Sequence, residues 1–123
     1  MKTYNHLSQE WLVEPGQMGP SACLRRLVET VGENLSPDNL GHVKGYAAWP
    51  GGEAFASTTL TPPEVNVRNT GLYSGGPVQI GLTVILINVS LDTIQSAVDS
   101  ALGQLEREFN CRFQDLLTER RNG

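Results

Sequence analysis

His42, Lys44 and Tyr46 stand two residues apart, the spacing in this chain that most invites chemistry. On a β-strand, positions two apart project from one face, so an imidazole, an ammonium and a phenol would form a row. Such a row can hold an anion or exchange a proton with a carbonyl compound. The same row also arises on any solvated sheet face, with the Tyr46 ring covering apolar surface. Glu10 and Glu14 are the carboxylates that an earlier strand can bring toward this region.

The other chemical groups are sparse. His6 lies in a polar N-terminal stretch, and neither histidine belongs to a His-x-x-x-His or Cys-x-x-Cys spacing, so no metal site is expected. A spatial site joining Cys23, Glu29 and His42 is disfavoured, because Cys23 and Glu29, six apart, do not share a helix face. Cys23 falls in the first turn of a helix, where a thiolate nucleophile would be favoured, whereas Cys111 follows a helix, where it would not. Both read more simply as small apolar fillers, and a disulfide between them is not expected. The glycines do not form a phosphate cradle. Neither Gly41-His-Val-Lys-Gly45 nor Gly71-Leu-Tyr-Ser-Gly75-Gly76 matches a P-loop or a dinucleotide fingerprint, and no Gly-x-Ser-x-Gly elbow occurs. No cofactor is expected.

Composition narrows the classes further. The chain has 123 residues, 39% of them hydrophobic and 18% charged, which suits one globular domain and argues against a charged disordered one. Nine basic against thirteen acidic residues leave a net charge of -4, and Arg25-Arg26 and Arg120-Arg121 make no basic stripe. Nucleic acid is therefore not an expected partner. The start lacks a basic-then-apolar leader, and the longest apolar run, Val78 to Val89, is broken by Gln79, Thr83 and Asn88. A cytoplasmic protein without a membrane span is the expectation.

These groups need elements to position them. Glu10 to Glu14 reads as a short strand ended by Pro15-Gly16, and Pro20 suits the first turn of a helix. Leu24, Leu27, Val28, Val31 and Leu35 then make one apolar stripe, ended at Ser36-Pro37-Asp38-Asn39. Leu40 to Trp49 and Glu53 to Leu60 read as a hairpin around Pro50-Gly51-Gly52, with Val43, Gly45, Ala47 and Trp49 opposite the His42 row. The small residues predict close packing over one face. Thr61 to Pro77 is irregular, with Pro62-Pro63 and an edge strand near Val65 to Arg68. Leu72 and Tyr73 sit at its tip without a core role, which makes them candidate partner contacts.

Val78 to Val89 is apolar at both alternating sets, with Ile85 and Ile87 in the second. That predicts a central strand with one face on the core and the other buried in the fold or in a subunit interface. Ser90 can cap the next helix, with Asp92 in its first turn, and Ile94, Val98, Leu102, Leu105 and Phe109 form its stripe. Arg112-Phe113 opens a short last strand.

Two amphipathic helices are most economically buried on one face of an antiparallel sheet. The expected fold is a single two-layer α+β domain over residues 1–123, ferredoxin-like or a close variant. A mobile arm over residues 1–9 and a polar tail over 118–123 complete it. The leading functional expectation is a self-assembling or accessory protein, a homo-oligomer with Leu72, Tyr73, Ile85 and Ile87 at its interface. The second is a small-molecule-binding domain or small enzyme using His42, Lys44 and Tyr46.

Overall fold

The computed structural model describes residues 3–35, 39–60 and 64–122. Ser36–Asp38 and Thr61–Pro63, including the helix stop and the proline pair singled out above, lie outside the described residues. The elements in chain order are β1 (Tyr4–Glu14), α1 (Pro20–Leu35), β2 (Leu40–Trp49), β3 (Gly52–Thr59), β4 (Asn66–Thr70), β5 (Val78–Ile87), α2 (Leu91–Phe109) and β6 (Arg112–Asn122). The strands form one antiparallel sheet in the order β4-β3-β2-β5-β1-β6. α1 packs over β2 and β3, α2 packs toward β1 and β6, and the helices touch each other. The α+β class with both helices on one side of an antiparallel sheet is as expected. The strand order is six long and differs from the four-stranded ferredoxin-like order.

The strand periodicity decides which side chains meet the helices. On β5, Val78, Ile80, Leu82, Val84 and Leu86 are buried against the core, and Gln79, Thr83, Ile85 and Ile87 on the other face are half-buried. On β2, Val43, Ala47 and Trp49 face the helices, with Gly45 between them. A Cβ on Gly45 would lie 2.8 Å from Leu24 Cδ1 and 3.3 Å from Val28 Cγ2. The close approach of α1 is therefore the reason for the small residues there. The stripe of α1 is buried as its spacing predicts, and that of α2 buries Ile94, Val98 and Leu105 with Ala97 and Ala101. Ser90 caps α2, its side chain accepting from the Thr93 amide at 3.1 Å.

Both chain ends differ from expectation. From Tyr4 onward the arm expected to be mobile is part of β1, which pairs with β5 from Tyr4↔Ile87 to Val13↔Val78. The alternation was concealed because two of its inward positions, Asn5 and Gln9, are polar. Asn5 Nδ2 donates to the Val89 carbonyl at 2.6 Å, and Gln9 exchanges hydrogen bonds with Asp115 and Gln95. Those bonds remove much of the cost of burying an amide. Asn88, at φ 58°, adds a further tie, its side chain accepting from the Thr3 amide and its own amide donating to the Thr3 carbonyl.

At the other end, the polar tail is the second half of β6, which pairs with β1 as far as Asn122. Nearly all of its side chains are exposed, so no hydrophobic pattern announces it and backbone bonding to β1 carries it. The register shifts between Glu10 and Trp11, leaving Leu116 as the extra residue of a bulge.

Candidate functional site

The helices cover one face of the sheet, and the His42 row lies on the other. Register across the strands assembles that open face into transverse rows. Lys44 pairs with Thr83, Thr83 with Ser8, and Ser8 with Glu119. In the next row Phe55 pairs with Tyr46, Tyr46 with Gly81, Gly81 with Glu10, and Glu10 with Leu117. Together the two rows line a trough of about 390 Å³ running across the strands. Ser8 and Thr83, whose short side chains are hydrogen-bonded to each other at 3.2 Å, form its floor.

Gly81 decides where the Tyr46 ring goes. A Cβ there would lie 2.2 Å from Tyr46 Cε1, so the ring lies flat across β5 in the space the glycine leaves. The phenol reaches over to β1 and donates to Glu10 Oε1 at 3.1 Å. Gln79 Nε2 donates to the Tyr46 oxygen at 3.0 Å and approaches Glu10 Oε2 at 3.4 Å. Burial, aided by the Glu10 carboxylate and opposed by the Gln79 hydrogen bond, holds the Tyr46 phenol above its ordinary pKa. At neutral pH it is a neutral donor.

The expected row is only partly one site. Lys44 and Tyr46 both line the trough, whereas His42 lines a separate hollow of about 270 Å³ on the far side of Lys44, with Thr59, Glu64 and Asn66. Four residues of strand place His42 and Tyr46 roughly 13 Å apart along the backbone, too far to act on one reacting atom. Burial first, then the positive charges of Lys44 and His6, holds His42 below its ordinary pKa. His6 is on the same face, separated from His42 by Ile85 through the register of β1, β5 and β2. Among the described residues no group of three or more His, Cys, Asp or Glu is placed to hold a metal ion.

The cysteines are buried fillers, as their sequence positions suggest, and the nucleophile alternative at Cys23 is not supported. Cys23 and Cys111 are both buried and free. Burial, reinforced by Cys111, pushes Cys23 up to about 12, overriding the helix N-terminus.

The four expected interface residues fall at two ends of the sheet. Ile85 and Ile87 lie on the open face, where Leu40, Ile87 and Tyr4 form one transverse row. Leu72 and Tyr73 lie beside the β2–β3 turn at the opposite end. Tyr73 has an internal role there, its ring edge-on to Trp49 at 6.3 Å and its hydroxyl donating to the Gly76 carbonyl. The Leu72 carbonyl accepts from Trp49 Nε1, while its side chain, 88% exposed, projects into solvent.

Five of the eight exposed large apolar side chains among the described residues belong to the open face: Tyr4, Leu12, Leu40, Phe55 and Leu117. The exposed large apolar side chains are thus concentrated on that face. Sequence reasoning missed Gly81, Gln79, Ser8, Thr83, Leu117 and Glu119 as parts of the site. A glycine inside the most apolar strand was the available signal, since it marks close approach of another group.

No family model, curated protein or solved structure matches this chain. No helix among the described residues is long and apolar enough to cross a membrane.

Proposed function

We propose that this chain is a self-assembling domain whose partner is a second copy, docked on the uncovered face of the sheet. The observation that carries the reading is the apolar end of that face, where Leu40, Ile87 and Tyr4 share a row and Ile85 adjoins it. Leu40 is 61% exposed although it stands within a strand of the main sheet. A face of this size, on the order of 800 Å² at ordinary strand spacing, matches what one partner contributes to a standard interface. Two-fold pairing of one face with itself is the commonest way such a surface is closed. Light scattering after size exclusion, over a hundredfold concentration range, tests it. A dimer mass at micromolar concentration is expected, and a monomer throughout refutes the reading.

A second reading is favoured by the trough. Short side chains floor it, Phe55 and Leu117 supply apolar wall, and Lys44 stands beside a phenol already held in place by Glu10 and Gln79. This is the composition of a small-molecule site. A second copy would roof the trough without filling it, so the two readings are compatible. The wide separation of His42 from Tyr46 favours binding over catalysis. Two free buried thiols accord with a reducing, cytoplasmic setting.

The ferredoxin-like plan also belongs to this proposal. The subset β6-β1-β5-β2, with α1 and α2, has the four-strand ferredoxin-like order, and β3 and β4 then count as a hairpin inserted at the β2 edge. On this reading the strands beyond the four-stranded plan are β3 and β4.

A further inference from the structure

We propose that the trough takes an extended zwitterion, a small molecule with a carboxylate and an ammonium held several ångströms apart, of which a free dipeptide is the type. This rests on the small-molecule reading of the trough and deepens it by naming the ligand class. The trough is bipolar. Lys44 stands at its β2 end, and its ammonium makes no hydrogen bond or ion pair with any described residue. Carboxylates stand at the other end: Glu10 on β1 and Glu119 on β6. Glu119 has only a loose contact with Arg121 at 3.8 Å. Glu10 accepts from Tyr46 and Gln79, which leaves lone pairs for a further donor.

Such a site disfavours a simple anion, which would meet Glu10 and Glu119, and a simple cation, which would meet Lys44. A zwitterion lying across the strands satisfies both ends. The spacing sets its length. Three strand steps separate Lys44 from Glu119, roughly 14 Å between backbones. Side chains standing upright on the sheet keep that separation, and two hydrogen bonds of about 3 Å each leave roughly 8 Å between the ligand's charged ends. A dipeptide, about 7 Å between its charged ends, spans that distance. A free α-amino acid, with its charges about 2.5 Å apart, does not. Between the poles, the Ser8 and Thr83 hydroxyls can bond a central amide, and Leu117 and Phe55 can flank apolar side chains at its two ends.

Calorimetric titration with L-leucyl-L-leucine as probe tests this, against three controls: L-leucine, N-acetyl-leucyl-leucine and leucyl-leucine amide. Each control is expected to bind at least about tenfold more weakly than the dipeptide. Lys44→Met is expected to bind the dipeptide and its amide equally, and Glu119→Gln to lose part of the discrimination against the acetylated form. Both residues are on the surface, so circular dichroism melts matching wild type keep these comparisons interpretable. If the dipeptide and its blocked forms bind alike, the zwitterion is overturned while the trough remains a small-molecule site. If L-leucine binds as tightly as the dipeptide, the spacing argument is overturned. If none of the four binds up to about 10 mM, the zwitterion and the small-molecule reading fall together.

Discussion

Replacing Gly81 with alanine should reverse the usual sign of that substitution. In a strand, Gly→Ala ordinarily stabilises by about 0.5–1 kcal/mol, because the unfolded chain loses freedom. Here the new methyl would sit 2.2 Å from Tyr46 Cε1 and 2.7 Å from Cζ, so the ring must leave β5. Displacement breaks the Tyr46–Glu10 and Gln79–Tyr46 hydrogen bonds, about 0.5–1.5 kcal/mol each. Overpacking adds about 1–3 kcal/mol where the ring cannot move freely. Set against the entropic gain, the net effect is a loss of roughly 1–5 kcal/mol. Urea unfolding of Gly81→Ala measures it, and a second pair makes the cause visible. In a Tyr46→Ala background the obstruction is gone, and Gly81→Ala should become neutral or stabilising. The phenol supplies a separate reading, since its raised pKa should return toward 10 once the ring swings into solvent. If Gly81→Ala is as stable as wild type with Tyr46 present, the ring does not occupy the position described, and the trough loses its wall.

Other consequences follow from the same geometry. His42 has a folded pKa below its unfolded value, so its contribution is complete above about 6.5 and is lost as pH falls through the folded value. Stability should therefore drop on acidification through that window, and less steeply in His42→Gln; NMR titration of the His42 ring should give a midpoint below 6.5, and a midpoint above it contradicts the assignment. Cys23 and Cys111 should be inert to Ellman's reagent in the native protein near pH 8 and both react in guanidinium; rapid native labelling would contradict their burial. Trp11 is fully buried, edge-on to Phe113 at 5.9 Å, with its indole nitrogen unpartnered. Trp11→Ala should cost about 3–5 kcal/mol, while Trp11→Phe should cost much less, because it also removes an unsatisfied donor. Comparable losses in both variants would contradict that account of the indole.

The parts of the fold with regular apolar spacing were legible in the sequence. The two helix stripes, the Ser90 cap, the β2–β3 hairpin and the two-faced β5 all follow from period and capping, and all are present. What stayed hidden has physical reasons. Asn5 and Gln9 occupy inward positions of β1 as hydrogen-bonded amides, so the strand does not alternate in hydrophobicity. β6 lies at an edge, where backbone pairing asks little of its side chains. The site was half visible. Lys44 and Tyr46 share a face by local spacing alone, but Glu10, Gly81 and Glu119 join them only through register between strands far apart in sequence. His42 shows the converse: spacing put it on the correct face, and strand length kept it out of the trough. Tyr73 looked free only because its Trp49 partner lies on another element.

The most direct test of assembly through the open face compares two surface variants by light scattering at equal concentration. Ile87→Lys places a charge in the row shared with Leu40 and Tyr4, and Leu72→Lys places one at the opposite end of the sheet. The account predicts that wild type and Leu72→Lys are dimers and that Ile87→Lys is a folded monomer. A dimeric Ile87→Lys, or a Leu72→Lys that alone falls to monomer, would contradict it.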